Sequence, residues 1–149
     1  VPVVSIRAFF LIRRRPPSPT LATPLSPYPP LLDPNLRATV IRVTYGTVDV
    51  LLPADAESDV TGRLALGRVE VLKVAHHGSA DAGLPALLTR LRPSVAVISV
   101  GNGNDYGHPR PETIAQLEAS PGLDLYRTDV DGRVVIESDG RSLTVRPQR

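Results

Sequence analysis

Ser94–Val100 (SVAVISV) is an unbroken apolar run, the pattern of a strand buried on both faces. A strand of that kind needs layers on either side, and the neighbouring segments read as those layers. Ala38–Tyr45 alternates and is rich in β-branched residues; Gly46-Thr47 reads as a tight turn, and Val48–Leu52 as the return strand of a hairpin. Val69–Ala75 (VEVLKVA) reads as a third strand. Leu84–Leu91 reads as a short helix with Pro85 suited to its first turn, and Pro111–Ala119 as a second helix. Leu123–Arg127 is a short strand, and Arg133–Glu137 is expected to pair with Ser142–Arg146 across the Asp139-Gly140 turn. The expected fold class is α/β: a mixed sheet with flanking helices and a terminal β-hairpin, its strand ends delivering loops to one edge.

Proline sets the other boundary. Nine of the sixteen prolines precede residue 35, eight of them between Pro16 and Pro34, a density that forbids regular helix or central strand. Residues 1–35 are therefore expected to be a disordered leader and linker, and residues 36–149 the folded domain. The apolar stretch 1–12 falls short of the roughly 20 residues that span a bilayer; followed by Arg13-Arg14-Arg15, it reads as a leader or as the stump of a membrane helix. The lack of any methionine, at position 1 too, points to a sequence that begins after its natural start or from a non-standard codon.

Charge is divided along the same line. Residues 1–35 carry four arginines against Asp33, a net of +3, whereas residues 36–149 carry 13 basic and 14 acidic side chains, a net of −1. The folded part thus has no broad basic footprint for nucleic acid. Absence of cysteine excludes disulfides, thiolate metal sites and cysteine nucleophiles.

What remains for chemistry is histidine and carboxylate. All three histidines lie in two motifs, His76-His77-Gly78-Ser79 and Tyr106-Gly107-His108-Pro109, and Ala54-Asp55-Ala56-Glu57 lies about twenty residues upstream of the first. Imidazole is the commonest transition-metal ligand and carboxylates complete such sites. Asp55 follows a strand and can bridge two cations; it can equally cap a helix that begins there. His76 and His77 follow the strand Val69–Ala75, and on an extended segment they would point in opposite directions, leaving one of them for a given metal. His108 sits behind Asn102, Asn104, Asp105 and Tyr106, in a loop that reads as a recess or as a plain Asn/Gly-rich turn. Asp129-Val130-Asp131-Gly132 opens like a calcium loop but lacks the distal glutamate, and reads as a turn.

LLPADAE, VLKVAHHGS, AVISVG, NDYGHP and YRTDVDGRVVI, in this order from about Leu36 to the C-terminus, resemble the C-terminal half of the metallo-β-lactamase-like domain of ComEC-type competence proteins, which internalise DNA at the bacterial envelope. The resemblance implies part of an αββα sandwich with a metal site at the sheet edges. It implies metal ligands at Asp55, His76 and His77, a divalent cation (zinc or manganese), and a catalytic or substrate role for His108, with Asn104 and Tyr106 as substrate contacts. Implied partners are DNA or another phosphodiester and the missing N-terminal half-domain; the implied location is the cell envelope at the inner membrane. The family's His-x-His-x-Asp-His motif is absent, no histidine preceding His76, and Pro53-Ala54 stands where Thr-Gly is usual. The expectation is a fragment of a metal-dependent hydrolase of phosphodiesterase or nuclease type, inactive alone. The alternatives are a non-catalytic truncated pseudoenzyme and part of a freestanding small-molecule metallo-hydrolase. A half-sandwich is also expected to expose the apolar face of its buried strands and to self-associate.

Overall fold

Alternation along the central strands divides the interior of the molecule into two cores. In the computed structural model, which describes residues 20–24 and 34–149, the order is β1 (Thr20–Pro24), β2 (Ile41–Tyr45), β3 (Val48–Leu52), α1 (Ser58–Thr61), β4 (Val71–Lys73), α2 (Leu84–Leu91), β5 (Val95–Ile98), α3 (Pro111–Glu118), β6 (Asp124–Arg127), α4 (Thr128–Asp131), β7 (Arg133–Ser138) and β8 (Leu143–Gln148). The first six strands form one sheet in sequential order, and β7 and β8 form a second. β1, β2 and β3 pair antiparallel; β3 to β6 are parallel. The fold is α/β with a mixed sheet, flanking helices and a terminal hairpin.

Each parallel crossover moves one place in the same direction, so crossovers of the usual right hand put their helices on one face of the sheet. Leu84, Leu87, Leu88 and Leu91 of α2 and Leu117 of α3 accordingly pack on Leu51, Leu72, Ala96 and Ile98. α2 recurs with apolar residues at i, i+3, i+4 and i+7, the stripe a helix needs to lie on a sheet. It ends at Arg92, which takes a left-handed conformation and returns its N–H to the Leu88 carbonyl.

The crossovers leave the opposite face uncovered, and the chain fills it with its own hairpin. Val134, Ile136, Leu143 and Val145 pack against Val48, Val50, Val71, Val95 and Val97. All five of those sheet valines are at most 7% exposed. Each is worth roughly 1.5–3 kcal/mol of hydrophobic stabilisation against an exposed position. Thr47 also donates its backbone N–H to the Gly140 carbonyl at 2.7 Å, so the tip of the β2–β3 turn is tied to the β7–β8 turn. The expected bare apolar face is therefore corrected: among the described residues the large exposed apolar side chains are Leu52, Tyr106 and Val130, scattered rather than contiguous.

Several boundaries move. The expected strand Val69–Ala75 contracts to Val71–Lys73, because its end turns into the histidine motif. Within the proline-rich segment read as a linker, Thr20–Pro24 pairs with β2 at the edge of the sheet, where a residue lacking an N–H is tolerated. The remainder of the leader and linker, with residues 1–12 and the arginine run, lies outside the described residues. Asp129–Gly132 becomes the short helix α4 and its exit. Its carboxylates are committed within the chain, Asp131 accepting the Arg127 backbone N–H at 2.9 Å and Asp129 the Arg127 guanidinium at 2.6 Å. Among the described residues no helix is long and apolar enough to cross a membrane.

Candidate metal centre

Three adjacent parallel strands end at one rim, and each hands over a motif there. β3 runs into Asp55, β4 into His76-His77, and β5 into the loop that carries His108. Loops beyond the carboxyl ends of parallel strands are where such sheets place their sites, so side chains distant in sequence converge without further instruction.

The histidine pair does not continue the strand. His76 (φ 45°, ψ 45°) and His77 (φ 54°, ψ 22°) are both left-handed, and Gly78 follows at φ 82°. The expected extended pair, with one imidazole turned away, is thus corrected: a left-handed turn leaves both rings at the rim. The turn costs roughly 1–2 kcal/mol for each non-glycine residue. It is held by Ser79 N–H on the His76 carbonyl at 2.9 Å and Arg110 N–H on the Gly78 carbonyl at 2.8 Å. His76 N–H also donates to the Ala54 carbonyl at 3.0 Å, joining this turn to the Asp55 loop. Ala54 is itself left-handed, at φ 53°, the kind of position that favours glycine.

His77 has the geometry of a primed ligand. Its Nδ1 lies 2.6 Å from the Ser99 carbonyl, an oxygen that can only accept, so the proton sits on Nδ1 and the lone pair on Nε2. That Nε2 faces Asp55 Oδ1 at 4.0 Å. Two donors on one tetrahedral zinc lie roughly 3.4 Å apart, so the pair would have to close by about half an ångström to share an ion. His76 Nδ1 is 3.1 Å from Glu57 Oε1, and its ring lies 5.7 Å from that of His108. His108 Nδ1 is buried without a hydrogen-bond partner, an orphaned lone pair or N–H at the same rim. Burial, with smaller contributions from His76, Arg110 and His77, holds the His108 imidazole below its ordinary pKa, so it is neutral at neutral pH.

Asn104 braces the His108 loop from within. Its Oδ1 accepts the His108 N–H at 3.1 Å, and its Nδ2 donates to the carbonyls of His108 at 2.6 Å and Gly101 at 3.1 Å. Tyr106 projects from the loop, 78% exposed. Beside it opens a recess of about 390 Å³ that reaches from His77 and Ser99 to His108.

Asp55 does not cap the helix after it: α1 begins at Ser58, with Glu57 in the cap position, and neither supplies a side-chain cap. Glu57 and Lys73 join the rim as residues the sequence reading had not assigned. Lys73 donates to the Ala54 carbonyl at 3.2 Å; burial pulls its pKa down while the Asp55 carboxylate pulls it up. A lone cation in the apolar run VLKVA was the available signal for it. Among the described residues no group of three or more His, Cys, Asp or Glu side chains is arranged to hold one ion. At the rim Asp55 and His77 face each other, flanked by His76–Glu57 and His108.

No family model matches the chain, and no solved structure matches it. Two curated proteins do. Recombination protein 2 of Haemophilus influenzae is 39% identical over 102 residues, 67% of this chain and 13% of that protein. ComE operon protein 3 of Bacillus subtilis is 32% identical over 117 residues, 74% of this chain and 15% of that protein. The likeness supports the competence-protein side of the motif resemblance and identifies no fold family. The chain is thus similar to a short segment, 13–15% of the length, of these two larger proteins.

Proposed function

We propose that this chain is part of a metal-dependent phosphodiester hydrolase that works in DNA uptake, supplying one side of its metal centre. The observation that carries the reading is the pairing of Asp55 Oδ1 with the His77 lone pair at 4.0 Å, with His77 fixed in the ligating tautomer by Ser99. In this reading Asp55 and His77 would hold a zinc or manganese ion, which would supply Lewis-acid chemistry when bound. Glu57 orients His76 as a further donor. Neutral His108 accepts a proton or donates a hydrogen bond at a phosphate oxygen, and Lys73 and Arg110 add positive charge where a phosphate would lie. Asn104 keeps His108 in place, and Tyr106 meets the substrate.

The remaining ligands come from a segment outside this chain, the N-terminal half-domain implied by the missing His-x-His-x-Asp-His motif. The isolated chain is accordingly expected to bind a divalent cation weakly and to cleave nothing. Calorimetric titration with zinc and with manganese tests this: binding by the parent chain, lost in both Asp55→Ala and His77→Ala, supports the reading. Equal binding in all three would sink it. One observation favours a non-catalytic chain instead, the lack of a three-donor group among the described residues. Mixing with a homologous N-terminal half separates the two, because only a hydrolase fragment gains metal-dependent nuclease activity.

A further inference from the structure

Asn102 is followed by Gly103, and that dipeptide carries chemistry that a metal centre does not use. The backbone nitrogen after an asparagine can attack the side-chain Cγ and close a cyclic succinimide. Glycine hinders that attack least, because it has no Cβ. Gly103 sits at φ 65° with nothing within 4 Å of the place a Cβ would occupy, so its nitrogen is reached from open space. Both residues are exposed, and among the described residues no hydrogen bond holds the Asn102 amide or the Gly103 N–H. Ring closure therefore breaks no hydrogen bond of the described fold.

Asn104, in the same loop, is the internal comparison. Its Oδ1 accepts the His108 N–H, and its Nδ2 donates to the carbonyls of His108 and Gly101. The residue after it is Asp105, whose Cβ crowds the nitrogen and whose carboxylate opposes loss of its proton. Asn35 precedes the bulky Leu36. The Asp131-Gly132 and Asp139-Gly140 pairs could close the same ring, but their carboxylates are occupied. Asp131 accepts the Arg127 N–H, and Asp139 accepts those of Arg141 and Ser142. The fold thus leaves Asn102 free and holds its competitors.

We infer that Asn102 is a deamidation site, its neutral amide being converted in the folded protein into a fixed carboxylate that lines the recess. The Gly103 nitrogen forms a bond to Cγ, the Cγ–Nδ2 bond breaks, and Nδ2 leaves as ammonia with the proton that Gly103 gave up. Water then opens the ring. Attack at Cγ gives aspartate; attack at the main-chain carbonyl carbon gives isoaspartate, with the chain now running through the side chain. Amide and water become carboxylate and ammonium, and no oxidant or metal takes part. The product lies in the recess of about 390 Å³ that Asp105, His77 and His108 also line. A second negative charge there opposes any anion that enters, so the rim changes character as the molecule ages. None of this depends on a bound metal.

Peptide mapping by tandem mass spectrometry reads the reaction in the 149-residue chain aged at mildly alkaline pH in heavy-oxygen water. The Asn102 peptide should split into aspartyl and isoaspartyl products, each carrying heavy oxygen from the solvent. Freeing the Asn104 amide first breaks hydrogen bonds, so Asn102 should convert at least about tenfold faster than Asn104. Gly103→Ala should slow the reaction, and Asn102→Gln, whose longer side chain closes the ring poorly, should stop it on the same timescale; circular dichroism shows whether each variant is folded. A synthetic peptide covering residues 99–105 sets the reference rate without the fold. An Asn102 left intact in the folded chain after that peptide has converted overturns the proposal. So does comparable conversion at Asn104, or a rate unchanged in folded Gly103→Ala.

Discussion

Gly78 is the hinge on which the two histidine motifs meet, and Gly78→Ala should break both the fold and the site. At φ 82° an alanine incurs roughly 1–2 kcal/mol of left-handed strain. Its Cβ would also stand 2.6 Å from the Cβ of Pro109, whereas carbon atoms settle at roughly 3.5–4.0 Å. Relieving that overlap means moving the His108–Pro109 segment by about an ångström, and overpacking of this sort costs roughly 1–3 kcal/mol. The lower entropy of the unfolded alanine chain returns roughly 0.4–1 kcal/mol. The net loss is about 3 kcal/mol, within a range of roughly 1–4.5 kcal/mol. Urea denaturation followed by far-ultraviolet circular dichroism reads it directly. With a slope of roughly 2 kcal/mol per molar urea, the midpoint should fall by about 1.5 M. Because His108 precedes Pro109, the same shift displaces the His108 ring from its place at the rim. A stability change under about 0.5 kcal/mol would refute the argument, since neither a left-handed Gly78 nor its contact with Pro109 could then be as described.

Ala54→Gly should do the reverse: relief of left-handed strain outweighs the added chain entropy, and the urea midpoint should rise by the equivalent of about 0.5–1 kcal/mol. Asp49 is held below the ordinary carboxylate pKa: burial pushes it up, but hydrogen bonds from Arg42 and Thr44 outweigh that. Its contribution is thus complete above the unfolded pKa and disappears as the pH falls through the lower folded value. Asp49→Asn should cost about 1–2 kcal/mol at neutral pH, discounted for the partial exposure of Arg42, and should flatten the stability profile below about pH 4. A profile as steep as that of the parent chain would show that Asp49 is not the group lost. Leu117→Ala, at a fully buried position under α3, should lose roughly 2–5 kcal/mol by thermal or urea melting. Ending the chain after Gly132 removes the cover from the valine face and should leave a domain that binds a hydrophobic dye and aggregates more than the parent chain does.

Elements whose signal is local were legible in the chain itself. Val48–Leu52 and Leu84–Leu91 lie where alternation and the 3.6-residue stripe put them, and the Asp139-Gly140 hairpin forms as its turn chemistry dictates. The residue types of the rim were legible too, since Asp55, His76, His77 and His108 sit at strand exits and a parallel sheet collects strand exits along one edge.

Tertiary structure decided what no window of sequence contains. The left-handed turn at His76-His77 exists because hydrogen bonds from Ser79 and Arg110 hold it against local preference, and that turn brings both imidazoles to the rim. The tautomer of His77 depends on the carbonyl of Ser99, on a neighbouring strand. Glu57 and Lys73 become part of the rim only once β3 and β4 lie side by side. Likewise, nothing in Arg133–Gln148 says that this hairpin covers the valines of β3, β4 and β5. That follows from crossovers of one hand, which place α2 and α3 on one face and leave the other for the end of the chain. Sequence fixes what each segment prefers through forces acting over a few residues; which segments meet is settled by burial and handedness across the whole sheet.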